Sequence, residues 1–216
     1  MKNKIFVGEF IGSALLVMAI VGSGIMAESL TNDTAVILLA NAVATGAALY
    51  FLIVSISDIS GAHFNPFVTL AMYLSKKIKS QLLPVYFTAQ ILGCLTGVML
   101  ANFFFDYSLI ELSSKSRSGI NVFVSEIIAT FGLIFIIFRT IKGGKVLVAT
   151  SVATFITAGY WFTSSTSFAN PAGTIGRMFS NSFAGINPEN VLYFCIAQIF
   201  GSILAFLVYR YFFKTN

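Results

Sequence analysis

Charge is what this sequence has least of. Only 10% of its 216 residues are Asp, Glu, Lys or Arg, and it carries one histidine, two cysteines and four prolines. So few charges cannot solvate a soluble domain of this length, and 57% hydrophobic residues with a mean hydropathy of +0.88 indicate a polytopic membrane protein. With His63 as the only histidine there is no basis for a histidine-ligated metal centre or a second histidine to act as a base. Cys94 and Cys195 sit inside apolar stretches, without the spacing of metal ligands or a disulfide framework, and read as small core residues. No metalloprotease helix and no Gly-x-Ser-x-Gly elbow is present, so an enzyme is not expected, nor a metal or cofactor.

The formal charge of +5 does not mark a nucleic-acid binder, because Lys and Arg lie in short loops rather than along one recognition face. What is abundant is long apolar sequence. Six runs, near residues 5–26, 35–57, 82–105, 121–138, 146–163 and 190–212, are long enough to cross about 30 Å of hydrocarbon at a rise of about 1.5 Å per residue. A bilayer offers the backbone no hydrogen-bond partner, so each run is a helix; strands of alternating polarity, as a barrel needs, are missing. The first run has Lys2 and Lys4 ahead of it, but it contains Glu9 and lacks a small-residue cleavage site, so it is read as a retained span. Ten of the thirteen basic residues fall on one side of the six-span arrangement, among them Lys76, Lys77, Lys79, Arg139, Lys142, Lys145, Arg210 and Lys214. Lys115, Arg117 and Arg177 fall on the other, which places both termini in the cytoplasm.

Two Asn-Pro steps interrupt the apolar sequence at corresponding places, Asn65-Pro66-Phe67 and Asn170-Pro171-Ala172. The segments that follow, about 66–75 and 171–181, are too short to span, and proline suits a first helical position. They read as half-helices dipping in from opposite sides, a use of irregular backbone that a bilayer tolerates only around a cavity. Asn187-Pro188, ahead of the last span, lacks the flanking pattern and reads as a helix-starting turn. Glu9 pairs with Glu126, and Ala89-Gln90-x-x-Gly93 with Ala197-Gln198-x-x-Gly201, so the chain is an internal duplication within one channel domain, 1–216. The copies run about 1–106 and 119–216; three spans each forces the second into the membrane upside down. Two half-helix N-termini meeting at the midplane would present unpaired N–H groups and positive dipole ends that repel cations and protons. Asn65 and Asn170 could bond their own helix tips through the side-chain oxygen while offering an NH₂ donor to a solute.

With these residues in place, the chain resembles the aquaporin family, the major intrinsic proteins, over nearly its whole length, through Ser60-Gly-Ala-His-Phe-Asn-Pro66, Phe168-Ala-Asn-Pro-Ala172 and the Glu and Gln pairs. The resemblance implies an all-α membrane protein of six spanning helices and two re-entrant half-helices in inverted three-helix repeats. It also implies a homotetramer embedded in lipid that passes water or small uncharged solutes down their gradients. Glu9 and Glu126 then support the half-helix loops, with His63 fixing the first of them. Two departures stand out: Phe67 replaces the family's alanine and puts a ring near the pore centre, and Gly173 stands where an outer-filter arginine is usual. Counting from the motifs, the other filter positions fall on Thr45, Ala158 and Ser167 or Phe168. Arg177 is read as a surface cation on the outer half-helix, with reach into the filter as the alternative.

A filter of small residues with little charge favours glycerol, urea or arsenite as its neutral trihydroxide over water alone. The stretch Phe183-Ala-Gly-Ile-Asn-Pro-Glu-Asn190 resembles bacterial members linked to metalloids, and a bacterial or archaeal plasma membrane is the expected location. The competing reading is a proton- or ion-coupled secondary transporter, because inverted repeats with broken helices also serve that design. Gly93, Gly97, Gly201 and Ser202 are expected at close helix crossings, and Phe103, Phe104, Phe105, Phe212 and Phe213 at the lipid or its interface.

Overall fold

The computed structural model describes residues 1–213, so Lys214 lies outside the described part. Eight helices follow in order: α1 Lys2–Leu30, α2 Thr34–Ser60, α3 Pro66–Leu74, α4 Leu83–Phe104, α5 Ile120–Thr140, α6 Lys145–Phe162, α7 Pro171–Arg177 and α8 Pro188–Val208, the last continuing as a π turn over Tyr209–Phe213. Six are long and apolar enough to span a membrane. The order long, long, short, long occurs twice, which is the duplication read from the sequence. The long helices exceed the apolar runs by a few residues because polar caps extend them: Asp33 accepts from Ala35 N and Val36 N, and Asn187 from Glu189 N.

The half-helix expected over 171–181 stops at Arg177. The carbonyls that would continue it are taken by the 105–119 connection, with Ser113 N donating to Met178 O at 2.9 Å and Glu111 N to Phe179 O at 3.2 Å. Those connections gather at one end of the bundle, here the loop end. Met1 and the close of α8 share the other, the termini end, where Lys145 pairs with Asp58.

The two halves are each held by one intimate helix pair. A Cβ on Gly93 would stand 2.5 Å from Phe10 O and one on Gly97 2.2 Å from Ala14 O, so α4 lies against the α1 backbone. In the second half a Cβ on Gly201 would stand 2.3 Å from Ile127 O, bringing α8 equally close to α5. Lipid provides no hydrophobic drive between helices, so this close van der Waals approach is what binds each pair. Large apolar side chains such as Val7, Leu39, Phe51, Phe103, Phe104 and Phe212 cover the outside. Phe105 departs from that group: it is partly buried and packs beside Gly22 on α1.

Gly93→Val and Gly201→Val should each abolish recovery of monodisperse protein from detergent. Gly22→Ala, whose Cβ meets only Phe105 Cε2 at 3.4 Å, should leave yield and Tm near wild type in size-exclusion and thermal-melt measurements.

Candidate functional site

A cavity of roughly 420 Å³ follows the bundle axis, lined from Lys77 and Lys145 at the termini end, through Asn65 and Asn170, to Phe168 and Arg177 toward the loop end. Its middle is built by the two half-helix tips. Asn65 caps α3 by accepting from Phe67 N at 2.9 Å, and Asn170 caps α7 by accepting from Ala172 N at 3.1 Å and Gly173 N at 3.2 Å. Each amide then reaches across: Asn65 Nδ2 donates to Ala169 O at 2.6 Å and Asn170 Nδ2 to Phe64 O at 2.8 Å. Both asparagines line the cavity. An amide has two N–H groups, so the clamp uses one and leaves one on each side for a passing solute.

The approach loops owe their shape to left-handed backbone. Ala62 and Phe64 in the first loop, and Ser167 and Ala169 in the second, have φ between +47° and +52°. Such conformations are strained for residues with a side chain and persist only where surroundings over-determine them. Glu9 does this for the first loop, accepting from His63 N, Phe64 N, the Ser60 hydroxyl and Gln90 Nε2. Glu126 does it for the second through one bond, from Ala169 N at 2.8 Å, with its other oxygen unpartnered. Thr69 and Thr174 complete the pattern: their hydroxyls donate to Asn65 O and Asn170 O and accept from Gln90 and Gln198. Sequence reading missed these threonines, although both stand four residues after their asparagine. His63 stacks on Tyr86 at 4.8 Å, contacts Thr69 Oγ1 through Nδ1 at 3.0 Å, and lines the cavity.

Toward the loop end the cavity touches Thr45, Ser167, Phe168 and Gly173, four of the positions expected there. Ala158 is not among them. It lies exposed in a shallow groove on the outer face of α6, beside Gly46, Tyr50 and Trp161. The α6 stripe facing the cavity is Val148, Val152 and Ile156, and at 100° per residue a position two beyond Ile156 points away from it. Tyr160, one turn beyond Ile156, hydrogen-bonds Thr45 Oγ1 at 3.0 Å instead. Phe67, Pro66, Pro171 and Ala172 do not line the cavity; Phe67 packs sideways against the main core, so its ring does not narrow the centre.

Arg177 requires a larger correction. It is no surface cation: it is 3% exposed, lines the cavity, donates from Nε to Ala184 O, and holds its guanidinium 3.3 Å from the centroid of Phe168. The loop-end lining, expected to carry little charge, therefore holds a full one. Arg117, from the 105–119 connection, lies 4.9 Å from the same ring and donates to Gly185 O and Phe183 O. Beside it Lys115 donates to Phe183 O at 2.7 Å. Burial, then the like charge of Arg117, lowers the Lys115 pKa to about 8, and burial lowers that of Arg117 to about 10, so both remain cationic at neutral pH. Together with the positive helix tips these charges oppose cations along the cavity.

A family model described as major intrinsic protein matches residues 2–159. The aquaglyceroporin AqpS of Rhizobium meliloti (strain 1021) is 43% identical over 205 residues, covering 95% of this chain and 88% of the relative. A probable aquaporin, TIP2-2, of Oryza sativa subsp. japonica is 30% identical, covering 96% and 86%. The solved aquaglyceroporin from Plasmodium falciparum shares the fold with a TM-score of 0.80 at 22% identity, covering 98% of this chain and 97% of its own.

Glu9→Gln should destabilise the protein more than Glu126→Gln, because its new NH₂ faces two donors that the carboxylate accepted. A difference on the order of 1–3 kcal/mol in unfolding free energy is expected. Equal losses in detergent melts would contradict the unequal support of the two loops.

Proposed function

The chain belongs to the major intrinsic protein family, and on that premise we propose that its axial cavity is the route by which small neutral solutes cross the membrane. It is an integral membrane protein and a passive channel for water and small solutes such as glycerol, not an enzyme. The whole chain, 1–216, is taken as one channel domain with inverted halves at about 1–106 and 119–216. In this reading Asn65 and Asn170 hold the solute at the centre, and Glu9, Glu126 and His63 support the loops. Thr45, Ser167, Phe168 and Gly173 bound the outer part of the route.

The observation that carries the reading is the reciprocal bond pair between Asn65 and Ala169 O and between Asn170 and Phe64 O inside one cavity. A solute there meets amide donors and positive helix tips, with no carboxylate offered to it, because neither Glu9 nor Glu126 lines the cavity. A proton or metal cation gains nothing in such a place, while a hydroxyl or carbonyl oxygen gains a donor in exchange for its water. The absence of side chain at Gly173 and the sideways placement of Phe67 leave room for glycerol, urea or the neutral trihydroxide of arsenic.

The basic residues at the termini end favour a cytoplasmic placement of both termini, with the loop end outside, in a bacterial or archaeal plasma membrane. The exposed apolar faces of the spanning helices suit lipid and three further copies of the chain, as a homotetramer.

In vesicles of purified protein, entry of glycerol, urea and arsenious acid should be linear in concentration and insensitive to ionophores, with sucrose excluded. Saturation, or collapse of flux with an ion gradient, would instead indicate a coupled carrier. Asn65→Asp and Asn170→Asp should each cut glycerol flux about tenfold or admit cations, since a carboxylate replaces the donor facing a carbonyl oxygen. Wild-type permeability in both would defeat the reading.

A further inference from the structure

The termini end of the bundle carries far more positive charge than the protein itself neutralises. With Lys214 outside the described residues, nine Lys and Arg side chains stand there, and the acid on that surface, Asp58, is taken by Lys145. That is the one ion pair among the described residues, so eight of the nine cations are left without an acid. The loop end is the reverse. Glu28, Asp33, Asp106, Glu111 and Glu189 stand against three basic residues there, and all three donate to backbone carbonyls of Phe183, Ala184 or Gly185.

An excess of cations in cytoplasmic loops sets orientation and by itself calls for no partner. The place where α5 and α8 end has more than an excess. The apolar stretch of α5 closes at Phe138 and that of α8 at Val208 and Tyr209, so Arg139 and Arg210 are the first charges met on leaving the hydrocarbon along two adjoining helices. The last turn of α8 is fastened to α5 by rings: Tyr209 stacks on Phe138 at 4.5 Å, and Phe213 meets Phe135 edge-on at 5.4 Å. Phe213 also seats Arg139, whose guanidinium is 4.9 Å from the ring centroid. Lys142 follows in the 3₁₀ turn Ile141–Gly143. Arg139, Lys142 and Arg210 are all exposed, and none has an acid partner among the described residues.

An arginine held on an aromatic face with its fork unused, and two further cations beside it, match a phosphate group. Tyr211 and Phe212, exposed on the same turn, belong at headgroup depth, where aromatic rings gather in membranes. Toward the bilayer centre α8 turns Phe200, Ile203, Leu204 and Leu207 outward, an apolar face on which acyl chains can lie. A zwitterionic headgroup fits poorly here, because its ammonium would be repelled by three neighbouring cations.

We propose that the joint where α5 and α8 end is a binding site for an anionic phospholipid of the leaflet at the termini end. Arg139, Lys142 and Arg210 hold its phosphate, and its chains run along the outward face of α8. Occupied, the site fastens the last turn of α8 to α5 and steadies the helix pair behind the second half-helix. The inference goes beyond solute passage and does not depend on it.

The test is the melting of delipidated full-length protein in uncharged detergent, with increasing phosphatidylglycerol or with phosphatidylcholine of the same chains. Phosphatidylglycerol should raise Tm and phosphatidylcholine should not. In Arg139→Gln/Lys142→Gln/Arg210→Gln the phosphatidylglycerol concentration that gives half the rise should increase at least tenfold, each basic residue near an anionic headgroup contributing about fivefold. Lys2→Gln/Lys4→Gln/Lys79→Gln removes the same charge from the same end and should keep the wild-type value. Phe213→Leu retains every charge and should weaken binding about two- to threefold by unseating Arg139. Equal losses in the two triple variants would reduce the effect to diffuse surface charge and overturn the proposal. So would an equal rise with phosphatidylcholine, or with inorganic phosphate, which would mark an anion site without a lipid. If the first triple variant yields no folded protein, Arg210→Gln and Phe213→Leu decide the matter, and wild-type values in both would overturn the site.

Discussion

Two helices that begin in the middle of a bilayer leave backbone N–H groups at a depth where lipid offers no partner, and the structure depends on how those groups are met. Each unsatisfied donor there would cost several kcal/mol. The tips answer one another: each asparagine takes N–H groups of its own helix through its oxygen and gives a proton to the carbonyl that precedes the other asparagine. Each asparagine's NH₂ finds its carbonyl only with the other half in place. The same arrangement explains why a glutamine or aspartate could not substitute at 65 and 170: the position needs an acceptor and a donor on one short, uncharged side chain.

The rest of each half serves to hold that contact still. Gly93 and Gly201 bring a supporting helix against its neighbour, so that Gln90 and Gln198 reach Thr69 and Thr174, which in turn bond the backbone of the two asparagines. Duplication accounts for the matching parts, and divergence for the differences. Glu9 collects four donors, whereas Glu126 collects one and leaves an oxygen, with Ser167 Oγ and Gln198 Oε1, unpartnered. The second loop compensates from outside: Ser125 Oγ accepts from Ser165 N, and the 105–119 connection brings Arg117 onto Thr166 and Phe168. The half facing the loop end is thus shaped partly by a connection with no counterpart in the first repeat.

What the chain could tell unaided follows from the solvent it folds in. Lipid permits few backbone solutions, so apolar length gave six spans within a few residues, and Asn-Pro after each second span gave the half-helices. The repeat made Glu9 with Glu126 and Gln90 with Gln198 recognisable, because a duplicated polar residue in an apolar helix stands out against its background. Tertiary structure decided where side chains between those marks would point. Ala158 and Tyr160 are two residues apart on one helix, and a shift of register that small exchanges an exposed face for the buried one beside Thr45. Phe67 turned aside into the core, and Arg177 folded inward onto Phe168, because Ala184 O and an aromatic face from distant loops were waiting for it. Sequence set the architecture through local hydrophobicity and repetition, while the chemistry at the loop end was settled by contacts between segments that only the folded bundle brings together.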